Sequence, residues 1–153
     1  MDVLYFFTVF LSGVLAGGLF MAQVGVLHAM RRLPAEVASR MHQTIGPGVD
    51  RFLPASDITA TIIAIVILAK DAHFSKASPV LVAIGIAGLV AVGLISTFLN
   101  FPINRVVYRQ APRGLPEEEY VPLRERWAIY QTTRMVVGLA TFGCFLAAAL
   151  AQN

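Results

Sequence analysis

Charged residues are scarce in this sequence: Asp, Glu, Lys and Arg make up 14% of its 153 residues, whereas 57% are hydrophobic. Soluble domains carry about 25% charged residues, so this scarcity and the mean hydropathy of +0.70 exclude that class. The net charge of +3 does not require a nucleic-acid partner, because basic loops beside a membrane also meet anionic lipid headgroups. We expect no nucleic-acid partner. We therefore expect an integral membrane protein.

The sequence has one cysteine, Cys144, which excludes a disulfide within the chain. The CxxC and HExxH motifs are absent, so there is no strong signature of a metal site. The three histidines are His28, His42 and His73. Two of them, His28 and His42, could join Asp57 in a facial triad for iron, and either could be an axial haem ligand. We expect no cofactor, and haem or iron stays open as the alternative.

Four long apolar stretches are present, at about 3–28, 54–70, 79–101 and 127–150. A helix that crosses a hydrocarbon core of about 30 Å needs roughly 20 mostly apolar residues. The first stretch has no basic residues before it and is longer than the hydrophobic part of a signal peptide, so we expect it to be retained. The sequence predicts an all-α integral membrane protein, an antiparallel four-helix bundle that forms a single membrane domain over 1–153.

A short interfacial helix is predicted after the first span. Pro34 can take an early helical position, and apolar residues recur every four positions from Val37 to Ile45. The Gly-Pro-Gly run at 46–48 is a typical helix end. Before the fourth span, the three glutamates at 117–119 are typical of the first turn of a helix.

Basic residues gather in the segments after the first and third spans, whereas the segment after the second has only Lys70 and Lys76. By the positive-inside rule the first and third loops are cytoplasmic, and both termini lie outside. The residues that carry this prediction are Arg31, Arg32, Arg40, Arg51, Arg105, Arg109, Arg113, Arg124 and Arg126.

Two carboxamides, Asn100 and Asn104, lie four residues apart where the third span ends. In a helix this spacing places them on one face. Pro102 between them removes a backbone donor and clashes with the carbonyl of Phe98. Polar groups inside a membrane are costly unless they have partners, so they indicate a functional site.

The other three spans carry polar residues at the same end of the bundle, which predicts a cavity that opens to the cytoplasmic side. Arg134 lies about 10 Å inside the fourth span and needs an anion or several carbonyls. We expect an ion pair between Asp57 and Arg134, direct or through water. The alternative is that these side chains only hold the helices together, at about 1 kcal/mol each. The residues are Gln23, His28, Asp57, Trp127, Gln131 and Arg134.

Several short motifs occur together in order along nearly the whole chain. They are Leu33-Pro34 after an arginine pair, Pro54 and Ala55 at the start of the second span, the Asn-x-Pro-x-Asn of Asn100, Pro102 and Asn104, and Trp127 followed by Arg134. This combination resembles the anthrone-oxygenase-like family of small four-helix membrane proteins. Most of its members are bacterial and have no assigned function, and the named ones are fungal enzymes that oxidise an anthrone to an anthraquinone with dioxygen. One position departs from the family, because Gln131 stands where His or Asn is common.

The resemblance implies a small membrane oxygenase that oxidises a flat phenolic, anthrone-type or hydroquinone-type aromatic in the cytoplasm-facing cavity, in a bacterial inner membrane. Such an enzyme needs a base and donors for the developing oxyanion. We expect His28, Asp57 and Arg134 to be catalytic, with His28 the better base if Asp57 pairs with Arg134. The residues expected to bind substrate are Gln23, Asn100, Asn104, Trp127 and Gln131, with Phe101 beside the ring.

A second function class stays open, and the sequence leaves it uncertain whether the protein is an enzyme. The chain could be a non-catalytic accessory subunit of a larger membrane complex that binds lipid, quinone or haem. Its small-residue face at Gly13 and Gly17 would then contact a partner chain. The expected partners are membrane lipid, an aromatic small molecule, and a second copy of the chain or a larger complex.

Overall fold

The structure is a computed structural model and describes residues 3–70, 78–110 and 113–151. These residues form four long helices, each long and apolar enough to cross a membrane. They are α1 (Val3–Arg32), α2 (Ala35–Lys70), α3 (Pro79–Arg109) and α4 (Glu117–Leu150). Each helix packs against the next along the chain, and α4 closes the ring against α1. The predicted all-α membrane bundle is confirmed. One of the three histidines, His73, lies outside the described residues.

The helix α2 is longer than predicted, because it begins at Ala35 and continues through Pro47 and Pro54. The predicted end of a separate interfacial helix at 46–48 is therefore wrong. Contacts with α3 keep this segment helical: the Gln43 side chain donates to the carbonyl of Val107 at 3.0 Å. Tertiary packing here outweighs a local Gly-Pro-Gly signal.

The helix α3 continues past Pro102 by changing its hydrogen-bond spacing. Residues Ser96–Asn100 form a π-helical turn, and the Phe101 N–H donates to the Ser96 carbonyl five residues earlier. Such a turn accommodates a proline that an α-helical ladder would not. A second π-helical stretch, Ala22–Leu27, lies in α1. The apolar periodicity of the sequence had predicted neither.

The first turn of α4 contains the three glutamates at 117–119, as predicted. The helix therefore begins about three turns before the predicted span. This extension and the longer α2 and α3 bring extra helix to one end of the bundle, which carries the two-residue loop Leu33-Pro34. We refer to it as the Pro34 end.

Small residues let the helices approach closely. A side chain at Gly13 would meet the ring of Phe142 at 3.1 Å, so this glycine is used inside the chain, whereas Gly17 is exposed with nothing within 4 Å. Between α3 and α4 the approach is closer still, because a Cβ on Gly85 would lie 2.6 Å from Phe145. The bundle therefore depends on glycine at the α3–α4 contact.

Gly85→Ala is expected to lower the free energy of unfolding by about 1–3 kcal/mol, because the added methyl overlaps the fully buried Phe145 ring. Gly143→Ala in α4 is the matched control, since nothing lies within 4 Å of its Cβ position. It should leave stability unchanged or slightly raised. Thermal unfolding of both variants in detergent measures the difference, and equal melting temperatures would contradict the proposed contact.

Candidate functional site

A cavity of about 420 Å³ lies between the four helices, a size typical of small-molecule sites. Most of its lining is aliphatic, from residues such as Leu15, Leu19 and Leu89. Polar side chains from α2, α3 and α4 converge on it. They are His42, Asp50, Asp57, Thr61, Ser96, Thr97, Asn104, Trp127, Gln131 and Arg134.

Arg134 is the cation of the cavity and is 8% exposed. One guanidinium nitrogen donates to the Ser96 hydroxyl of α3 at 3.0 Å, and another donates to the Gln131 side-chain oxygen. Gln131 in turn donates to the Leu19 carbonyl of α1 at 2.9 Å. The Nε of Arg134 is buried and has no hydrogen-bond partner. One chain of hydrogen bonds thus joins α4 to both α1 and α3.

Asp57 does not form the direct ion pair with Arg134 that the sequence predicted. Its Oδ1 is buried with no hydrogen-bond partner, and its Oδ2 lies 3.1 Å from where a Cβ of Gly93 would stand. The two terminal guanidinium nitrogens of Arg134 donate to neutral groups instead, those of Ser96 and Gln131. Among the described residues, no carboxylate lies within ion-pair distance of Arg134. The cavity therefore contains a cation that an anionic group of a ligand could meet.

A second network contains His42, for which the sequence indicates only a possible role as an iron or haem ligand. The His42 Nε2 lies 3.1 Å from the Asn104 side-chain oxygen. The Asn104 amide nitrogen donates to Asp50 at 2.9 Å, and the Tyr108 hydroxyl donates to the same carboxylate at 2.7 Å. Because a carboxylate only accepts, the amide oxygen of Asn104 must face the imidazole, and Nε2 of His42 is the donor. Its Nδ1 is buried and has no hydrogen-bond partner.

Aromatic rings surround the His42 imidazole. The ring centroids of Trp127, Tyr108 and Tyr120 lie 5.4, 6.0 and 6.4 Å from it, each in an edge-on orientation. Such edge-to-face contacts fix the plane of a buried ring. The Trp127 Nε1, like His42 Nδ1, is buried without a hydrogen-bond partner. The pair offers one donor and one acceptor to a ligand in the cavity.

Five of the predicted site residues line the cavity: Asp57, Asn104, Trp127, Gln131 and Arg134. Three others do not. His28 is exposed on α1, Gln23 lies in the π-helical stretch of that helix, and Asn100 is fully buried with neither amide atom hydrogen-bonded. The expectation that all of these polar residues converge on the cavity is corrected for these three, which lie in or directly after the two π-helical stretches.

Two cavity residues, His42 and Asp50, are not among the substrate-site residues predicted from the sequence. Neither is Tyr108, which does not line the cavity but donates a hydrogen bond to Asp50. The signal for the first two was present, because His42, Asp50 and Asp57 are spaced by eight and seven residues and share one face of a continuous helix. The predicted end of the helix at 46–48 hid this face. The facial triad considered for iron is not assembled, since His28 lies outside the cavity lining. In the described part of the chain, no three His, Cys, Asp or Glu residues are grouped to hold a metal ion.

Four membrane-spanning helices around an apolar cavity, with one cation and a histidine–amide–carboxylate network, define a small integral membrane protein with a site of ligand size. A family model described as Anthrone oxygenase matches residues 41–144, and the chain belongs to this family. The predicted resemblance is therefore confirmed. Comparison with curated proteins and with solved structures gives no match. The matched segment contains every cavity residue of α2, α3 and α4.

The nitrogen spectrum of His42 tests the second network. We expect Nε2 to carry a proton and Nδ1 to be the acceptor nitrogen, because Asn104 presents its oxygen. Nitrogen-15 NMR of histidine-labelled protein measures the tautomer, and a His42→Gln sample assigns the signal. Asn104→Leu should shift the signal strongly, whereas Tyr108→Phe, which removes only the outer donor, should shift it little. A wild-type spectrum with the proton on Nδ1 would contradict the network.

Proposed function

We propose that this protein oxidises a flat phenolic aromatic, of the anthrone or hydroquinone type, with dioxygen inside the cavity and without a cofactor. The observation that carries the proposal is Arg134, a buried cation that lines an apolar cavity with no carboxylate partner among the described residues. A cation held in this way stabilises negative charge that develops on a bound molecule. Family membership supports the same chemistry.

The substrate class follows from the charge and shape of the site. An anthrone has an acidic methylene whose deprotonation places negative charge on its carbonyl oxygen. We place that oxygen at Arg134, beside its unpartnered Nε, with the Trp127 Nε1 as a second available donor. The aliphatic lining and the Phe101 ring then surround the rest of the aromatic system. The donors are already held in position, so little reorganisation is needed as the charge forms.

We assign the proton abstraction to His42. It lines the cavity, its Nδ1 has no partner, and its other nitrogen is occupied by Asn104. Asn104 and Asp50 are positioning residues, because they orient the imidazole and do not themselves reach the substrate in this proposal. The exposed His28 has no such access, which makes His42 the better candidate for the role. Asp57, which also lines the cavity, is the second candidate base.

The reaction balances with dioxygen as the only co-reactant. The base removes one methylene proton, and the resulting carbanion transfers one electron to dioxygen. The carbon radical and superoxide combine in a new C–O bond, and the protonated product is a hydroperoxide. Loss of the second methylene proton breaks the O–O bond and expels hydroxide, which takes up a proton as water. One CH₂ group and one O₂ thus give one C=O group and one H₂O, while a hydroquinone would give a quinone and hydrogen peroxide.

We also propose an orientation and a unit of function. The Pro34 end carries the basic segments and would face the cytoplasm by the positive-inside rule, with both termini outside and the bilayer a bacterial inner membrane. The whole chain would act as a single membrane domain. The cavity network formed by His42 and Asn104 would then lie near the cytoplasmic surface.

Arg134→Leu is expected to lower the rate of anthrone oxidation by about 10²–10³-fold, because it removes a preorganised cation from the oxyanion. Arg134→Lys should retain part of the rate, and Arg105→Leu, which changes an exposed arginine of α3, should retain all of it. Dioxygen consumption and anthraquinone absorbance in proteoliposomes measure the rate, after subtraction of oxidation in empty vesicles. Equal rates for Arg134→Leu and wild type would remove Arg134 from the reaction. No oxidation by the wild type itself would favour the accessory-subunit alternative.

The two histidines provide a matched pair for the base. His42→Gln should lower the oxidation rate by about 10²–10⁴-fold, which is the usual contribution of a positioned base. His28→Gln should leave the rate unchanged, because His28 is exposed and does not line the cavity. Added imidazole should partly restore His42→Gln and should not affect Asp57→Asn. Loss of activity in His28→Gln, with retention in His42→Gln, would reverse the assignment.

A further inference from the structure

The four helices contribute to the cavity in different ways. The lining residues of α1 and α4 are buried or half-buried, so these two helices form a closed back wall. In α2 and α3, by contrast, several lining residues are also exposed on the outside of the bundle. They are Ile45, Val49, Ile58, Ile62, Val90, Leu94, Thr97 and Phe98. Side chains that both line a cavity and reach the outer surface mark its opening, which therefore lies between α2 and α3.

The rim of this opening is apolar except for Thr97. If this opening faced water, its rim would be a large exposed apolar patch, and water-exposed protein surfaces rarely carry one. Both α2 and α3 are membrane-spanning helices, so the outer surface at this rim faces lipid. Apolar side chains there carry no cost, because lipid tails are as apolar as the side chains themselves.

The opening leads directly to the polar groups of the cavity. Ile58 of the rim is followed inward by its neighbour Asp57, and Leu94 by its neighbour Gly93. A Cβ on Gly93 would lie 3.1 Å from the Asp57 Oδ2, so a side chain at residue 93 would extend into the space beside this carboxylate. A molecule that passes between Ile58 and Leu94 therefore meets the polar groups after one layer of side chains.

We propose that the substrate is dissolved in the bilayer and enters and leaves the cavity sideways, through the gap between Ile58 of α2 and Leu94 of α3. The inference rests on the proposed function only for the chemistry of the ligand, which is a flat lipophilic molecule with an oxygen on which negative charge develops. Its apolar body matches the aliphatic lining and the lipid outside, and its oxygen is directed inward to Arg134. Membrane-dissolved substrate and product then exchange without crossing water.

Trp127 provides the measurement, because it is the only tryptophan in the sequence and it lines the cavity. A brominated phenol that partitions into the bilayer should shorten the fluorescence lifetime of Trp127 on entry. Acrylamide serves as the water-soluble quencher. Anaerobic proteoliposomes keep the experiment free of turnover.

The double variant Ile58→Phe with Leu94→Phe narrows the gap without adding an indole. The matched control is Ile65→Phe with Ile84→Phe, on the same two helices. Ile58 and Leu94 are 59% and 52% exposed, and the control residues Ile65 and Ile84 are 49% and 53% exposed. The control pair does not line the cavity. The narrowed variant should reduce the rate of phenol quenching by about fivefold or more, an effect of about 1 kcal/mol. The control should match wild type, and Ile58→Ala with Leu94→Ala should quench faster.

Unchanged phenol quenching in both the narrowed and the widened variants would overturn the lateral route. Acrylamide quenching of Trp127 that exceeds phenol quenching in wild type would overturn it as well, because it would place the entrance in water. Loss of bundle structure in the narrowed variant is checked by circular dichroism, and the widened variant then tests the same gap in the opposite direction. If phenol quenching changes in the narrowed and widened variants but the protein oxidises no anthrone, the lateral route is supported and the proposed function is contradicted. If anthrone is oxidised at the same rate in all of these variants, the proposed function is supported and the lateral route is contradicted.

Discussion

Hydrocarbon offers no partners to a polar group, and this constraint determines the arrangement around Arg134. A guanidinium on an otherwise apolar helix must be satisfied by the protein, and here Ser96 and Gln131 do so from two sides. Because Gln131 also reaches the Leu19 carbonyl, the same hydrogen bonds fix α4 against its two neighbours. None of these hydrogen-bond partners is charged, and the carboxylates of the cavity, Asp50 and Asp57, lie beyond ion-pair distance of the guanidinium.

The His42 network depends on a different part of the fold. It exists because α2 stays helical through Pro47, which places His42 and Asp50 on the side that faces α3. There His42 hydrogen-bonds to Asn104, and Asp50 accepts a hydrogen bond from Tyr108. The two networks contribute different properties to one cavity: the first a positive charge, the second an oriented imidazole. Both lie inside a cavity whose outer rim on α2 and α3 is mostly apolar.

Asp57, Asn104 and Arg134 could be predicted as cavity residues because they are polar residues in apolar helices and the antiparallel topology fixes their depth. The sequence does not show where the backbone departs from a regular α-helix. Asn100 and Asn104 share a face in an ideal helix, yet only Asn104 lines the cavity, and Asn100 is the last residue of the π-helical turn. The direct form of the expected ion pair is absent for another reason: the sequence does not show that a neutral serine of α3 would accept a hydrogen bond from the arginine.

The π-helical turn Ser96–Asn100 has a consequence for the residues that follow it. It inserts one residue more than an α-helical turn would, and one residue corresponds to about 100° of rotation around the helix axis. If the same residues were α-helical, everything after Phe101 would be rotated by that angle, and Asn104 would turn away from Asp50. The angular setting of α3, and with it the position of Asn104 beside the imidazole, thus depends on the backbone hydrogen-bond spacing before Pro102.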